Sequence, residues 1–478
     1  MTQRLIVQPF AGLRYRRGDL SGVLAPPYDI ITPEQQERLH RRDPHNVVRL
    51  ELGYGAREDG DQDTFVRRSG TRWPAKADDR YARSAKTLQL WRQEGVLAYD
   101  DGPCLYPHSH TFDLRGESRR RLGVLCAVRL TPFEAGMVLP HEGTLAAPRE
   151  DRRRLMLACQ AQISPVLALH DDPNGEITAV ISEMTADHPV AEAETSGECH
   201  CLWRRRQDEL TDRYCELVGQ GPLFIADGHH RYETALTVSR ELAQPALRHC
   251  SAEATQCGAE SATQAREAEA HPQAPPEAAF NHVLALLCPA EQPGVVILPT
   301  HRLLRLPTGE QRAHLEALVE RHFQRREVKC AAAHPREAAR TLVQSLEHSD
   351  SGALFGMYTS AGGCSLLEVR PEYVPRNPGA GGIDELGTVL IHRLLIDPVL
   401  GPGALSTCVE YVTSEAEAVQ QVDEGRADCA LFLRPTTVEQ VKRVAAAGLR
   451  MPGKSTYFYP KAPTGLVIND ISPGRIIP

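Results

Sequence analysis

The chain has 478 residues, of which 41% are hydrophobic and 24% charged, and its formal net charge is -8. That is the composition of a globular protein with room for roughly two to four domains, and the negative balance argues against a chain built to coat nucleic acid through phosphate contacts. No run approaches the roughly 20 apolar residues of a spanning helix, and the start, Met1 to Phe10, lacks an apolar core long enough for a secretory signal, so the expected compartment is the cytoplasm.

The chain opens with a short apolar strand, Leu5-Ile6-Val7, followed by a Pro-rich turn, Ala25-Pro26-Pro27-Tyr28-Asp29. Thr32-Pro33-Glu34-Gln35 carries the signature of a helix start: a capping Thr, Pro at the first helical position, and an acid and Gln in the first turn. Val47 to Leu52 alternates enough to predict a strand ending near Glu51. Tyr81, Ala85, Leu88 and Trp91 lie at helical spacing and predict a helix over 79–95. Strands are expected around 104–112, 121–130 and 166–170, and a charged helix over 150–160.

Residues 244–279, rich in Ala, Glu, Gln, Pro and Ser without an apolar period, are expected to be a flexible surface insertion. Beyond it, strands are expected at 280–288 and 295–298. Helices follow at 310–323, 334–347, 384–396, 414–423 and 436–447, with strands near 354–358, 365–369 and 428–433. The expected organisation is thus a region 1–243, an insertion 244–280, and a C-terminal α/β region 281–478 whose first strands can complete the first sheet.

The most function-like element is Asp227-Gly228-His229-His230-Arg231, between the apolar run Leu223 to Ala226 and a helical stretch from Tyr232. A glycine after a buried strand lets the backbone turn tightly and approach a ligand. The N–H groups of the next helix favour an anion there. Arg231 is an always-charged fork suited to phosphate, the two His can move protons or bind metal, and Asp227 can orient a His, act as a base or hold a metal ion.

Other candidates are weaker. Asp29, beside Tyr28 in a Pro-stiffened loop, suits a base or a Mg²⁺ ligand, and Glu51 is a second candidate carboxylate. His141-Glu142 has no partner His at protease spacing. His301-Arg302, expected to follow a strand, is a candidate anion contact. Gly448 to Ser455 satisfies G-x-x-x-x-G-K-[ST] literally, but it follows a helical pattern and precedes the extended-reading Thr456 to Pro460. A phosphate loop needs the reverse order, so Lys454, Ser455 and Thr456 are expected to reach phosphate or substrate, if at all, from another geometry. The Arg runs 119–121, 152–154 and 204–206 read as solvated faces. The 13 Cys are scattered; in the one tight cluster, Cys199-His200-Cys201, no second half-site accompanies them, so reduced thiols are expected rather than zinc.

Ala226 to Ala235, ADGHHRYETA, resembles the G-x-x-R signature of the ParB/sulfiredoxin superfamily, which includes nucleotide-binding partition proteins, sulfiredoxins and free-serine kinases. The resemblance implies that Gly228 to Arg231 cradle nucleotide phosphates. His229 stands where sulfiredoxins carry their reactive Cys, which argues against sulfinic-acid repair. A longer resemblance runs through Pro9-Phe10, Ala25 to Asp29, Asn46 to Leu50, Leu139 to Glu142, Ala226 to Tyr232, Leu298 to Arg302 and Lys454 to Lys461. It is to a widespread prokaryotic domain-of-unknown-function family (number one thousand and fifteen), sometimes labelled ParB-like.

The expected fold is therefore mixed α/β: a ParB/sulfiredoxin-like core with insertions plus a C-terminal α/β region. The expected function is a nucleotide-dependent kinase for a small hydroxyl metabolite, with free serine the version the resemblance implies. Gly228 and Arg231 bind phosphates, His229 or His230 stabilises the transferring group, and Asp29, Asp227 or Glu51 takes the hydroxyl proton, with Mg²⁺ and ATP or ADP as cofactors. The alternatives are a nucleotide-binding switch without metabolite chemistry and a metal-dependent hydrolase using Asp227, His229 and His230. The partners are a small molecule and a nucleotide, with neither membrane nor nucleic acid; a homodimer is compatible with the sequence.

Overall fold

The structure, a computed structural model, describes residues 5–53, 78–254, 275–328, 335–349, 352–377, 379–401 and 405–477. The chain forms two compact units, one of residues 1–139, 144–295 and 460–478, the other of 140–143 and 296–459. The division falls after residue 295 rather than near 281 because the strand His282–Pro289 is central to the first unit's sheet.

The first unit begins with helices α1 (Pro33–Arg42), α2 (Val48–Glu51) and α3 (Asp78–Gln93). Its further elements are β1 (Cys104–Leu114), β2 (Glu117–Arg129), β3 (Val138–Leu139), α4 (Ala146–Cys159), β4 (Val166–His170), α5 (Glu176–Met184), β5 (Ala191–Thr195), β6 (Glu198–Leu202), α6 (Glu209–Val218), β7 (Leu223–Asp227), α7 (His229–Ala254) and β8 (His282–Pro289). The main path of the sheet runs β3-β7-β4-β8-β2-β1-β6-β5. β7 pairs parallel to β3 and antiparallel to β4, and β8 pairs parallel to β4 and antiparallel to β2. β4, β7 and β8 are buried along their whole length, which fits strands covered on both faces. Met184 of α5, Tyr214 of α6, Ile225 of β7 and Val238 of α7 belong to one buried core.

The capping prediction at Thr32 holds: its hydroxyl accepts from the Gln35 N–H at 3.2 Å, and the Gln35 side chain accepts from the Thr32 N–H at 2.8 Å. The strand expected at Val47 to Leu52 is instead the helical turn α2. Val48, Leu50 and Glu51 are all buried, so their alternation does not separate an inner from an outer face. Asn46 decides the conformation locally: its Oδ1 accepts from the Val48 N–H at 3.0 Å while its Nδ2 donates to the Gly22 and Leu24 carbonyls. The hairpin β5–β6 is not among the expected strands: Ala191 to Thr195 does alternate in burial, but with Ala as its inward residue it lacks the β-branched and aromatic side chains that mark a strand. Of the expected insertion, residues 244–254 continue α7, and 255–274 lie outside the described residues.

The second unit contains β9 (Val296–Leu298), β10 (His301–Leu304), α8 (Gly309–His322), β11 (Phe323–Val328), α9 (Pro335–Glu347), β12 (Leu354–Thr359), β13 (Gly363–Val369), β14 (Val409–Val412), α10 (Glu415–Asp423), β15 (Cys429–Phe432), α11 (Val438–Ala446) and β16 (Tyr457–Tyr459). Its sheet runs β11-β13-β12-β15-β10-β14, and β9 pairs antiparallel with β16. The single helix expected at 384–396 is broken into a 3₁₀ stretch, a short α-helix and a π-turn. Both units are mixed α/β. No helix among the described residues is long and apolar enough to cross a membrane.

Candidate active site

β7 delivers Asp227 at its end, Gly228 turns the chain, and α7 starts at His229. Gly228 has φ +94°, and a Cβ there would stand 3.0 Å from Arg231 Nε and 3.1 Å from its Cζ. Glycine is thus required twice, for the left-handed turn and so that the Arg231 guanidinium can lie against the backbone. Arg231 is buried; its Nη2 donates to Asp227 Oδ2 at 2.5 Å and its Nη1 to the Pro165 carbonyl. The other Asp227 oxygen accepts from Lys461 Nζ. Burial pushes the Asp227 carboxyl upward, but Lys461 and Arg231 overcome this and hold it well below the usual carboxylate range.

His229 is buried at the helix start. His230 Nε2 accepts the Leu145 N–H at 2.9 Å, and Glu233, one turn on, accepts from Thr144 Oγ1 at 2.5 Å and from Arg149 at 2.8 Å. The two His and Asp227 therefore do not form a set of metal ligands: Asp227 is taken by two cations and a His230 nitrogen by the backbone. The metal role expected of Asp227 would require displacing a cation.

Glu51 is 3% exposed and Arg152 4%. Arg152 Nη1 donates to Glu51 Oε1 at 2.9 Å and to the Glu51 carbonyl at 3.3 Å, and its Nη2 donates to Asp151 Oδ2 at 2.5 Å. The guanidinium lies 4.0 Å from the centroid of the Tyr28 ring, a cation–π contact. Burial raises the Tyr28 phenol, and the charges of Arg152 and Arg231 partly offset this. Glu51, Arg152 and Arg231 line one cleft of about 30 Å³, with Gln162, Ser164 and Met156 among the other lining residues. That space suits a hydroxyl-bearing group or a water, not a whole nucleotide. Asp29, next to Tyr28, is exposed.

The remaining predicted residues gather in the second unit. Thr456 Oγ1 bonds His141 Nε2 at 2.8 Å and Glu142 Oε1 at 3.2 Å. His301 and Arg302 follow β9, as expected, but they also open β10, and both are fully buried. Arg302 binds the Thr300 carbonyl and hydroxyl and, at 3.3 Å, the Lys454 carbonyl; burial lowers it to about 10. Ser455 is buried, its hydroxyl donating to the Pro452 carbonyl at 2.7 Å. The Walker-like string Gly448 to Ser455 leads into β16, not a helix, so it is no phosphate loop.

Two residues escaped the sequence reading. Arg152 was assigned with its neighbours to a solvated face, yet it points inward from α4, as Arg121 does from β2; neighbours on a helix or strand point in different directions, so an Arg run can bury one member. Lys461 stands at the end of the motif Lys454 to Lys461. Nothing in local sequence couples it to Asp227.

The chain belongs to the family described as Protein of unknown function (DUF1015), whose profile matches residues 7–389. No curated protein matches it. Among solved structures it is similar to a free serine kinase in complex with AMP, at a TM-score of 0.33 and 11% identity over 70% of this chain and 89% of that chain. A conserved hypothetical protein from Pyrococcus furiosus has a TM-score of 0.32 and 12% identity, over 70% of this chain and 91% of that one. SbnI with a C-terminal truncation, from Staphylococcus aureus, has a TM-score of 0.32 and 9% identity, over 73% and 90%. At such scores none of these bears on the residues of the site.

Proposed function

We propose that this protein is a nucleotide-dependent phosphotransferase acting on a hydroxyl group of a small polar metabolite, with free serine the acceptor suggested by the family resemblance. The observation that carries the reading is the cleft that Glu51, Arg152 and Arg231 line together, with Asp227 bonded to Arg231 and Lys461 bonded to Asp227. Glu51 takes the hydroxyl proton of the acceptor, and Arg152 holds its carboxylate in place. Arg231, Lys461 and the first N–H groups of α7 offset the charge of the phosphates, while Asp227 fixes the two cations. His229 and His230 stand at that helix start and stabilise the transferring group. Mg²⁺, arriving with ATP or ADP, neutralises phosphate charge, since catalysis of this kind is mostly positioning and electrostatics.

The test uses the full-length protein with ATP or ADP, Mg²⁺ and a panel of hydroxyl amino acids. A nucleotide that binds the native state raises its melting temperature, and phosphorylated product should form. Glu51→Gln should keep the thermal shift and lose the product. Absence of any nucleotide-induced shift overturns the reading; a shift with no product from any acceptor replaces it with a nucleotide-binding switch.

A further inference from the structure

Away from the cleft, the first unit places three imidazoles and a carboxylate together on one face of its sheet. β1 and β6 pair antiparallel with His110 opposite His200. His108 and His110 are two apart on β1, and Glu198 and His200 two apart on β6, so all four lie on the same face. The ring centroids of His110 and His200 are 4.0 Å apart, and those of His108 and His200 stack at 5.4 Å. His110 Nε2 lies 2.8 Å from Glu198 Oε2. His200 Nδ1 lies 3.2 Å from His108 Nε2. One ligand atom from each of His110, Glu198 and His200 falls within 4.8 Å of the others, and these three are the one such group among the described residues.

We propose that His110, His200 and Glu198 form a binding site for one divalent transition-metal ion of the Zn²⁺, Co²⁺ or Ni²⁺ class. Two imidazoles and one carboxylate are a donor set that zinc accepts with a fourth position left for water. His200 binds through Nε2, because its Nδ1–H donates to His108 Nε2; His108 is then a positioning residue that fixes the tautomer and ring angle of a ligand. His110 binds through the Nε2 that faces Glu198. The Glu198 side chain is 25% exposed and gives the ion a route from solvent.

Arg121 sets the affinity. It is buried opposite His110 on β2, its Nη1 donates to the Pro460 carbonyl at 2.5 Å, and its Nη2 stands 3.4 Å from His110 Nδ1. A metal on Nε2 moves the His110 proton to Nδ1 and breaks that contact, so the site binds more weakly than a closed structural zinc centre. Cys199 and Cys201 alternate to the opposite face of β6 and are not ligands.

The test titrates Co²⁺, and separately Zn²⁺, into chelator-treated full-length protein, reading the cobalt ligand-field spectrum and the bound metal per chain. One equivalent with a nitrogen/oxygen spectrum is expected. Glu198→Gln and His200→Asn should each abolish it, His108→Gln should weaken it roughly 10- to 100-fold, and Cys199→Ser should leave it unchanged. Glu198→Gln alters a partly exposed side chain, and circular dichroism checks that this variant is folded. No stoichiometric binding, binding unchanged in Glu198→Gln and His200→Asn, or a cobalt–thiolate band that vanishes in Cys199→Ser would each overturn the proposal.

Discussion

Lys461 and Asp227 are 234 residues apart in sequence and form a partly buried ion pair. The pair ties the C-terminal segment of the first unit to the turn at the end of β7, where Arg231 holds the second carboxylate oxygen. Two cations and one carboxylate are thus gathered there, so removing Asp227 leaves the cations uncompensated, whereas removing Lys461 leaves the Asp227–Arg231 pair balanced.

Lys461→Met, which keeps the Asp227–Arg231 pair, should therefore destabilise the protein by about 1–3 kcal/mol, the loss of one charged hydrogen bond, measured by urea denaturation at pH 7. Asp227→Asn should cost as much or more, since it leaves two cations facing a neutral amide. If Lys461→Met unfolds at the same urea midpoint as the parent, the pair contributes no stability.

Gly228→Ala should destabilise by about 1–3 kcal/mol, because alanine at φ +94° is strained and its methyl meets the Arg231 guanidinium. Gly228→Ala combined with Arg231→Gln should cost less than the sum of the two single changes, since the clash disappears. A double-mutant cycle reads the difference, and strict additivity would show that the two residues do not press on one another.

Arg152→Met and Glu51→Met should each cost about 3–5 kcal/mol, while the double replacement should recover much of the loss, because an apolar pair of similar volume removes both buried charges at once. Denaturation midpoints of the three variants check this. The same double variant should yield no phosphorylated product even where its stability is restored.

Acid should weaken the first unit through His170 and His282. Burial lowers both to about 4, below the roughly 6.5 of an unfolded histidine. The unfolded chain therefore takes up protons between those values that the native protein refuses, so stability is complete above pH 6.5 and falls as pH drops toward 4. The slope is about 1.4 kcal/mol per pH unit for each such group. His170→Gln should flatten the dependence of unfolding free energy on pH across that window; an unchanged slope would show that His170 titrates alike in both states.

Much of the architecture was legible locally. The helices over 309–322 and 415–423 and the strands at 354–359 and 429–432 follow from apolar period and capping residues, which act within a few positions. The turn from β7 through Gly228 into α7 was legible for the same reason: a glycine between a buried strand and a helical pattern has few other uses. Val47 to Leu52 reads as a strand because burial of Val47, Val48, Leu50 and Glu51 together erases the periodicity that separates helix from strand.

By itself, then, the sequence determined the mixed α/β class, most of the elements and the chemically capable turn Asp227 to Arg231, since each rests on forces that reach only a few residues. Tertiary structure alone decided what those side chains face. It set Arg152 against Glu51 and Tyr28, and Lys461 against Asp227. It also brought His110 opposite His200 through strand register. Partners of this kind are chosen by burial, where an unpaired charge or polar group is too costly to leave, and burial is a property of the folded chain that no local pattern carries.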